Sequence, residues 1–309
     1  MRLKKPITLA EAADMLRCPF KGEANHLISG INEIHMVEPG DLVFVDFEKY
    51  YNKALESAAT TILINKDVDC PPGKGLLISD DPFRDYNLLT RKYSEVPDWT
   101  AQQSTTAQIG ASSLLHPSVS VGKNVTVGEN CQIHAGVVLY EGVTIGNNVI
   151  IHANAVIGAD AFYFKKREWG YDKMHSCGTV VIEDNVELGA STTIDRGVSG
   201  VTRVGAGSKL DNHVHVGHDT VIGKNCLFAA QVGIAGCVVI EDNVTLWGQV
   251  GVPSDLTIGK GAVFLGQSGV MGSMEGGKTY LGSPAVEVRE KWREMANIKK
   301  LPDILDKLK

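Results

Sequence analysis

The sequence predicts a mainly β protein built around a parallel β-helix of about eight coils, with an α/β domain before it and a helix after it. Three observations predict this fold class: an apolar residue recurs every six positions, glycine often follows that residue, and aromatic residues make up only 6% of the 309-residue chain. A six-residue period is typical of β-helices in which each hexapeptide forms one short strand and one turn.

The repeat runs from residue 109 to residue 270 and has 24 apolar positions. Three hexapeptides close one triangular coil, so 24 positions predict eight coils with inward side chains stacked on partners 18 residues away. The glycine that follows is expected at a corner with a positive φ angle. The positions are Ile109, Leu115, Val121, Val127, Ile133, Leu139, Ile145, Ile151, Ile157, Ile182, Leu188, Ile194, Val204, Leu210, Val216, Ile222, Phe228, Ile234, Ile240, Leu246, Val252, Ile258, Phe264 and Val270.

Two interruptions break the repeat. The spacing widens to 25 residues over 157–182, which predicts a loop that leaves the coil over about 160–177. The spacing is ten residues over 194–204, so four residues are expected to leave the coil near 196–201. The longer loop is expected to cover a functional surface, because it is dispensable for packing yet rich in aromatic residues. These are Phe162, Tyr163, Phe164, Trp169 and Tyr171.

Residues 1–100 lack the repeat and predict a small α/β domain. Thr8 and Glu11 have the spacing of a capping box for a helix that ends at about Leu16. Asp81 followed by proline opens a second helix that ends at about Tyr93.

The rest of this domain and the two ends of the repeat are assigned from local patterns. Strands are predicted at 41–45, 60–64 and 75–79, with a helix at 48–59. A polar linker covers 97–108. The domain boundaries that follow are 1–100 for the α/β domain, 101–280 for the β-helix and 281–309 for a C-terminal helical segment.

Composition excludes several classes of protein. Thirty basic and 36 acidic residues give a net charge of −6, which argues against a nucleic-acid binder. No window has the roughly 18 consecutive apolar residues of a transmembrane helix, and no secretory signal is present, so a cytoplasmic location is expected. The six cysteines have no paired spacing and are expected to be reduced thiols.

The strongest candidate for chemistry is His218, two residues beyond an inward position. The residue one coil above it is Gly236, whose bare backbone N–H could bind the oxyanion of a thioester carbonyl. A neutral imidazole beside that N–H could act as general base for acyl transfer, with Asp211 holding the other ring nitrogen. The alternative is that His218 is a solvated histidine at a corner.

Four segments carry a specific resemblance. They are residues 192–197 (TTIDRG), 210–218 (LDNHVHVGH), 158–164 (GADAFYF) and 44–50 (FVDFEKY). Together they resemble the UDP-3-O-acylglucosamine N-acyltransferases of lipid A synthesis over nearly the whole chain. The resemblance implies a left-handed β-helix and a homotrimer. It also implies transfer of a 3-hydroxyacyl group from acyl carrier protein to the 2-amine of UDP-3-O-acylglucosamine.

The resemblance assigns roles to individual residues. His218 matches the catalytic base, Asp211 its carboxylate partner and Gly236 the oxyanion glycine. Phe44 and Tyr50 match the pair that stacks on uracil, with core packing of a small domain as the alternative. No cofactor is expected beyond the phosphopantetheine that carries the acyl donor on acyl carrier protein.

Four further residues are assigned to substrate binding: Asp46 in the uridine segment, Asp160 and Phe162 in the long loop, and Asp255 above the base. Two of them depart from the family's pattern. Asp46 stands where the family commonly has asparagine, and Ser254-Asp255 stands where it commonly has a second active-site histidine. A relative with a shifted acceptor therefore remains an alternative.

Other histidines suggest weaker hypotheses. His213 and His218 are five residues apart, as in the zinc site of γ-type carbonic anhydrases, but a third ligand is lacking, so no metal is expected. His116, His134 and His152 are 18 apart and should stack in one column, either as a plain ladder or as a threefold ion site.

The ends of the chain and the rival functions complete the prediction. Five basic residues in the C-terminal segment could bind an acidic carrier protein or form a solvated helix face: Arg289, Lys291, Arg293, Lys299 and Lys300.

Three alternative functions stay open. One is an O-acyltransferase of the preceding pathway step, whose His-x-x-His-Asp motif resembles residues 215–219 but which lacks the N-terminal domain. The others are an acetyl-CoA-dependent N-acetyltransferase and a non-catalytic binding solenoid.

Overall fold

The structure is a computed structural model that describes residues 1–94 and 101–306. The chain forms two compact units. The N-terminal unit contains residues 1–94, 160–179 and 197–200, and the β-helix unit contains 101–159, 180–196 and 201–306. The predicted boundary at residue 100, the first part of the predicted linker and residues 307–309 lie outside the described residues.

The N-terminal unit is an α/β fold around one six-stranded sheet of order β1-β3-β4-β5-β6-β2. Neighbours from β3 to β6 are parallel, while β1 and β2 lie antiparallel at the two edges. The elements are β1 (Arg2–Thr8), α1 (Leu9–Leu16), β2 (Phe20–Lys21), β3 (Leu27–Ile31), β4 (Asp41–Val45), a 3₁₀ turn (Glu48–Tyr50), α2 (Tyr51–Leu55), β5 (Thr61–Ile64), β6 (Gly75–Ile78) and α3 (Pro82–Tyr93).

The predicted helix ends are confirmed, because capping depends on residues close in sequence. Thr8 and Glu11 form a reciprocal capping box at α1, and the Asp81 carboxylate accepts a hydrogen bond from the Arg84 N–H at α3. The predicted helix at 48–59 is shorter than expected. A 3₁₀ turn takes its first three residues, and α2 ends at Leu55. Strands β1, β2 and β3 were not predicted.

The β-helix unit confirms the predicted fold and has three walls, of eight, ten and seven strands. The first wall contains β7 (Gln108–Ile109), β10 (Thr126–Val127), β13 (Thr144–Ile145), β18 (Thr179–Ile182), β21 (Val201–Val204), β24 (Val221–Ile222), β27 (Val239–Ile240) and β30 (Thr257–Ile258). The second contains β8 (Leu114–Leu115), β11 (Gln132–Ile133), β14 (Ile150–Ile151), β19 (Glu187–Leu188), β22 (Lys209–Leu210), β25 (Leu227–Phe228), β28 (Thr245–Leu246), β31 (Val263–Phe264), β32 (Thr279–Leu281) and β33 (Val286–Glu287). The third contains β9 (Ser120–Val121), β12 (Val138–Leu139), β15 (Val156–Ala159), β20 (Thr193–Asp195), β23 (His215–Val216), β26 (Gly233–Ile234) and β29 (Gly251–Val252).

The core of this unit is the stack of predicted inward residues. Of the 24 positions, 22 are buried, and Ile109 and Leu115 in the first coil are partly buried against the same cluster. Strand pairing places residues 18 apart in register, as at Val216 and Ile234. Burial of this continuous apolar column is the main stabilising term of the β-helix.

The prediction about corner glycines needs a correction. Gly110 and Gly128 follow inward residues, but neither has a positive φ angle. A Cβ added at Gly110 would lie 2.3 Å from the carbonyl oxygen of Gly128, so glycine is needed there because the next coil approaches closely. The left-handed conformation falls further into the turn, often on asparagine, as at Asn124 (φ 55°) and Asn130 (φ 56°).

The longer interruption is a folded hairpin. Residues 160–179 contain β16 (Phe164–Arg167) paired antiparallel with β17 (Gly170–Lys173). Met174 beyond the hairpin is fully buried in the core of the N-terminal unit with Phe83 and Tyr86. The inserted segment is therefore an integral part of the N-terminal unit, which the sequence did not predict.

The last strands close the second wall. β32 continues the parallel order on β31, whereas β33 pairs antiparallel with β32. The helix α4 (Val288–Asp306) follows directly and confirms the predicted C-terminal helix. No helix within residues 1–94 and 101–306 is both long and apolar enough to cross a membrane.

Candidate active site

The predicted alignment of His218 with Gly236 is confirmed. Strand β23 pairs in parallel with β26, with Val216 opposite Ile234, so each residue two positions further lies at the same corner of adjacent coils. The Cys237 N–H also donates to the His218 carbonyl oxygen across 2.8 Å, which fixes the spacing of the two turns. The fold thus places the imidazole one coil beneath the backbone of Gly236.

The imidazole is oriented by a neighbouring carboxylate. Nδ1 of His218 lies 3.0 Å from Oδ2 of Asp219. The His218 side chain is 15% exposed and that of Asp219 is 1% exposed. A carboxylate on Nδ1 favours the tautomer with the proton on Nδ1, so Nε2 has the lone pair that accepts a proton. This is the arrangement of a general base held by an acid partner.

Gly236 leaves room for that ring. A Cβ added at residue 236 would lie 2.4 Å from Nε2 of His218, closer than any side chain tolerates. Glycine is therefore required here so that the imidazole can lie against the backbone, and Nε2 is the ring atom that faces it. The backbone of Gly236 is itself buried.

The N–H of Gly236 is available for an incoming oxygen. Among the described residues no acceptor lies within hydrogen-bond distance of it. The equivalent N–H differs between corners: that of Lys224 donates to Oδ1 of Asp242 across 2.8 Å, whereas those of Ala230 and Gly248 also have no acceptor among the described residues. What distinguishes Gly236 is that it is buried and lies against an imidazole. Such a donor beside a base can stabilise the oxyanion of a tetrahedral intermediate.

The prediction that Asp211 orients the base is wrong within this chain. Asp211 follows Leu210 on the second wall, so it lies one corner before His218, and its Oδ1 accepts the N–H of Asn212 across 2.7 Å. Asp219 takes the predicted role. The signal was present in the sequence, since Asp219 directly follows the histidine in the His-x-x-His-Asp motif of residues 215–219.

Asp255 lies in the same corner column, above Cys237. It is exposed, has a left-handed φ of 63°, and its N–H lies 3.4 Å from the carbonyl oxygen of Gly236. The structure thus places the carboxylate one coil above the Gly236 turn. Its role in substrate binding stays a prediction.

The remaining histidines of the repeat form local contacts. His213 and His218 lie at different corners, so their spacing of five residues does not bring the imidazoles together. His134 and His152 stack with ring centroids 5.1 Å apart, as predicted for a column, and Nε2 of His152 lies 3.0 Å from Oε1 of Glu187. His116 instead shares a hydrogen bond with Ser118 across 2.8 Å.

Phe44 and Tyr50 differ in their surroundings. The ring of Phe44 on β4 packs against Tyr86 at 4.8 Å and against Phe83 at 6.1 Å, so it is partly buried in the core. Tyr50 is 45% exposed, with Nζ of Lys49 4.6 Å from its ring centroid. Of the two, Tyr50 has the surface needed to stack on a base, while pairing of both rings on uracil stays a prediction.

The negative charge of the Asp46 carboxylate is balanced by a lysine of the hairpin. Its carboxylate forms an ion pair with Lys165 of β16, and its side chain is only 8% exposed. Arg167 on the same strand contacts Asp81 at 2.8 Å and Asp172 at 3.0 Å. Partial burial acts to lower the pKa of Arg167, but these carboxylates raise it above its usual value. Lys165 was missed because nothing in the sequence links residues 119 positions apart.

The loop residues Asp160 and Phe162 lie at the base of the hairpin. Oδ2 of Asp160 lies 2.6 Å from Nζ of Lys173. Phe162 is 84% exposed, and its ring packs edge-on against Phe164 with centroids 5.1 Å apart. An aromatic side chain this exposed is available to a ligand or partner, so its assignment to substrate binding stays a prediction.

The fold and the site together define a class of protein. A β-helix of hexapeptide repeats with a carboxylate-held imidazole beneath a glycine N–H is the arrangement expected of an acyltransferase. In agreement, the family model "Bacterial transferase hexapeptide (six repeats)" matches residues 106–141, 125–159 and 202–236. The model of UDP-3-O-(3-hydroxymyristoyl) glucosamine N-acyltransferase matches residues 25–92 of the N-terminal unit.

Full-length relatives identify the family. The chain is 41% identical to the UDP-3-O-acylglucosamine N-acyltransferase of Syntrophotalea carbinolica over 96% of this chain and 93% of that protein. It is also 41% identical to the same enzyme of Nitratidesulfovibrio vulgaris, over 97% of this chain and 94% of that one. The chain belongs to the UDP-3-O-acylglucosamine N-acyltransferase family, and it is an acyltransferase.

A solved structure supports the fold. The UDP-N-acetylglucosamine acyltransferase of Campylobacter jejuni superposes with a TM-score of 0.55 and 22% identity, over 62% of this chain and 73% of that chain. At this identity the likeness concerns the β-helix fold alone. The rival O-acyltransferase function is disfavoured, because residues 25–92 match the N-acyltransferase model.

Proposed function

We propose that this enzyme transfers a 3-hydroxyacyl group from the phosphopantetheine thiol of acyl carrier protein to the 2-amine of UDP-3-O-acylglucosamine, in lipid A synthesis. The acceptor is the one named for its full-length relatives. The observation that supports the mechanism best is the position of His218, held by a buried carboxylate directly beneath the open N–H of Gly236.

The chemical step needs only groups that this corner provides. The acceptor amine attacks the thioester carbonyl carbon, and a C–N bond forms as Nε2 of His218 takes the amine proton. The negative charge that develops on the carbonyl oxygen is stabilised by the N–H of Gly236. The C–S bond then breaks, and the imidazolium returns its proton to the thiolate, which leaves an amide and a free thiol.

Asp219 has two tasks in this step. Its contact with Nδ1 keeps the imidazole in the tautomer that accepts a proton on Nε2. Its negative charge also stabilises the imidazolium that forms between the two halves of the reaction. Because the Asp219 side chain is 1% exposed, water screens this interaction little.

The third wall supports a long acyl chain. Gly233 and Gly251 occupy successive outward positions on β26 and β29, close to the Gly236 corner. A Cβ added at either glycine would meet no atom within 4 Å. This strip of backbone is smooth and lacks side chains, so an extended alkyl group can lie flat against it.

The N-terminal unit supports binding of the uridine nucleotide. Tyr50 offers an exposed ring for stacking. The unfavourable effect of the Asp46 carboxylate on a diphosphate is offset by its ion pair with Lys165. An acidic residue at this position is therefore compatible with a sugar-nucleotide acceptor.

Acyl carrier protein as donor is supported by charge. The helix α4 carries Arg289, Lys291, Arg293, Lys299 and Lys300, and its residues beyond Val288 are mostly exposed. Lys291 forms an ion pair with Glu294, but the helical spacing of Arg289, Arg293 and Lys300 places these three on one face. Such a basic group attracts an acidic partner and speeds its association. We also propose that the enzyme works in the cytoplasm as a homotrimer, as the family resemblance implies; light scattering on the purified protein measures the oligomer.

The test uses purified protein with 3-hydroxyacyl-acyl carrier protein and UDP-3-O-acylglucosamine. His218→Ala should lower kcat by about 10²–10⁴-fold, since general base catalysis contributes this much. His134→Ala is the matched control, because that imidazole lies in the same β-helix but outside the site, and it should keep the wild-type rate. An undiminished rate in His218→Ala would reject the assigned base, and turnover with acetyl-CoA alone would reject the donor.

A further inference from the structure

The carboxylate that holds the base has an unusual support of its own. The backbone N–H of Asp219 donates a hydrogen bond to Oγ1 of Thr202 across 2.8 Å. Thr202 is fully buried and Asp219 is 6% exposed. Thr202 lies on β21, directly after residues 197–200, which interrupt the repeat.

At most other turns of this corner the support is a backbone carbonyl. The N–H of Gly142 donates to the carbonyl oxygen of Lys123, and that of Cys237 to the carbonyl oxygen of His218, both across 2.8 Å. Two insertions leave the β-helix at this corner, residues 160–179 and 197–200. Above the first, the Gly197 N–H donates to the carbonyl oxygen of Thr179 across 3.3 Å, whereas above the second a threonine hydroxyl replaces the carbonyl. A hydroxyl also serves at the base of the column, where the N–H of Asn124 donates to Oγ1 of Thr106 across 2.9 Å.

We propose that Thr202 is a positioning residue for catalysis: its hydroxyl fixes the peptide of Asp219 and so the carboxylate that orients His218. This inference rests on the proposed role of His218 as general base. Asp219 has a left-handed φ of 56°, as do the equivalent turn residues Cys237 (φ 61°) and Asp255 (φ 63°). The hydrogen bond from its N–H to the Thr202 hydroxyl fixes the position of this turn.

At the coil beneath Asp219 the Thr202 hydroxyl takes the place of the usual carbonyl acceptor. Residues 197–200 leave the β-helix and join the N-terminal unit, where the Ser199 hydroxyl accepts the N–H of Glu33 across 3.0 Å. The coil beneath the turn of His218 and Asp219 therefore lacks the backbone carbonyl that supports most equivalent turns. The hydroxyl of Thr202, near the start of β21, provides a hydrogen-bond acceptor in its place.

The test compares three substitutions of Thr202. Thr202→Val keeps the shape and removes the acceptor, Thr202→Ser keeps the hydroxyl, and Thr202→Cys offers a weak acceptor. We expect Thr202→Val to lower kcat by about 10–100-fold with little change in KM, as for other residues that orient a functional group. Thr202→Ser should recover most of the rate, and Thr202→Cys should fall between them.

A matched control separates catalysis from stability. The Ser208 hydroxyl is also fully buried and accepts a backbone N–H, that of Cys226, across 3.0 Å, at a corner that carries no catalytic group. Ser208→Ala should lower the Tm about as much as Thr202→Val does, but it should leave kcat at the wild-type value. Thermal melts and circular dichroism on each variant provide the comparison.

A double variant completes the test. If Thr202 acts through the base, adding Thr202→Val to His218→Ala should cause no further loss of kcat. Wild-type kcat in Thr202→Val, with a lowered Tm, would overturn the inference and leave the base in place. Equal losses of kcat in Thr202→Val and Ser208→Ala would overturn it as well. An undiminished rate in His218→Ala would instead reject the proposed function, and this inference with it.

Discussion

The β-helix and the N-terminal unit are built by opposite rules. In the β-helix most strand pairs join residues 18 apart, as at Val216 and Ile234, and only the pairs across the two insertions and the last pair of the second wall depart from this spacing. In the N-terminal unit the decisive contacts have no fixed spacing. Lys165 reaches Asp46 across 119 positions, and Ser199 reaches Glu33 across 166.

The difference teaches where to look for function in each region. In a repeat, most side chains contact only the neighbouring coils, so a functional group stands out where a polar side chain is buried at a corner, as at His218 against Gly236. In the N-terminal unit nothing repeats, and function depends on exposed side chains such as Tyr50. We therefore expect substitutions at the β-helix site to change kcat, and substitutions in the N-terminal unit to change KM.

After loss of the base itself, the largest expected effect is that of Gly236→Ala. Its methyl group would lie 2.4 Å from Nε2 of His218, so the imidazole must move away from the backbone N–H, which alanine keeps. We expect kcat to fall roughly 10²–10³-fold, because base and oxyanion donor no longer act on the same carbonyl, measured by steady-state kinetics. Gly248→Ala is the control, since that position is equivalent at another corner and its methyl group would lie 3.4 Å from the Ala230 oxygen. Full activity in Gly236→Ala would contradict the site.

The next effect concerns the carboxylate. Asp219→Asn keeps the shape but removes the charge that stabilises the imidazolium, so we expect kcat to fall roughly 10–100-fold. In the control Asp242→Asn the side-chain oxygen still accepts the Lys224 N–H, and the rate should not change. Both variants are compared by kcat at saturating substrate. A similar kcat in the two variants would mean that Asp219 is a structural corner residue like Asp242.

The smallest expected effect lies in the N-terminal unit. Tyr50→Ala removes an exposed ring, and we expect KM for the UDP-sugar to rise about tenfold with kcat nearly unchanged, the size of one stacking contact. Phe20→Ala is the control, because that ring is similarly exposed, at 38%, but lies on β2 at an edge of the sheet. Calorimetric titration with UDP measures binding directly. A loss of kcat in Tyr50→Ala without a change in KM would contradict the expectation that the N-terminal unit affects KM and the β-helix site affects kcat.

The same contrast explains how much of the fold the sequence could predict. A hexapeptide period is a local signal, so the inward residues and the alignment of His218 with Gly236 were both predicted. The caps at Thr8 and Asp81 are also local. The strands β1 to β3 and the hairpin of β16 and β17 were missed, because their partners are set by packing across the unit.

The candidate site was predicted only in part, for a related reason. Spacing identified the base and the glycine, but both the reasoning from the residues and the resemblance placed the carboxylate at Asp211 rather than at the adjacent Asp219. The choice between them depends on which corner each side chain occupies, and the eight positions from Asp211 to Asp219 carry the chain from the second wall to the third. Thr202 could not be predicted either, since the excursion of residues 197–200 changes the register beneath Asp219.

The strand β33 has a consequence for how the column ends. A stack of parallel strands exposes unpaired peptide groups at its last rung, and these can recruit another chain and grow into a fibril. By reversing direction on β32 and leading straight into α4, the chain ends the second wall without a further parallel strand. A turn of a few residues therefore limits the growth of this wall, whose repeat could otherwise add coils.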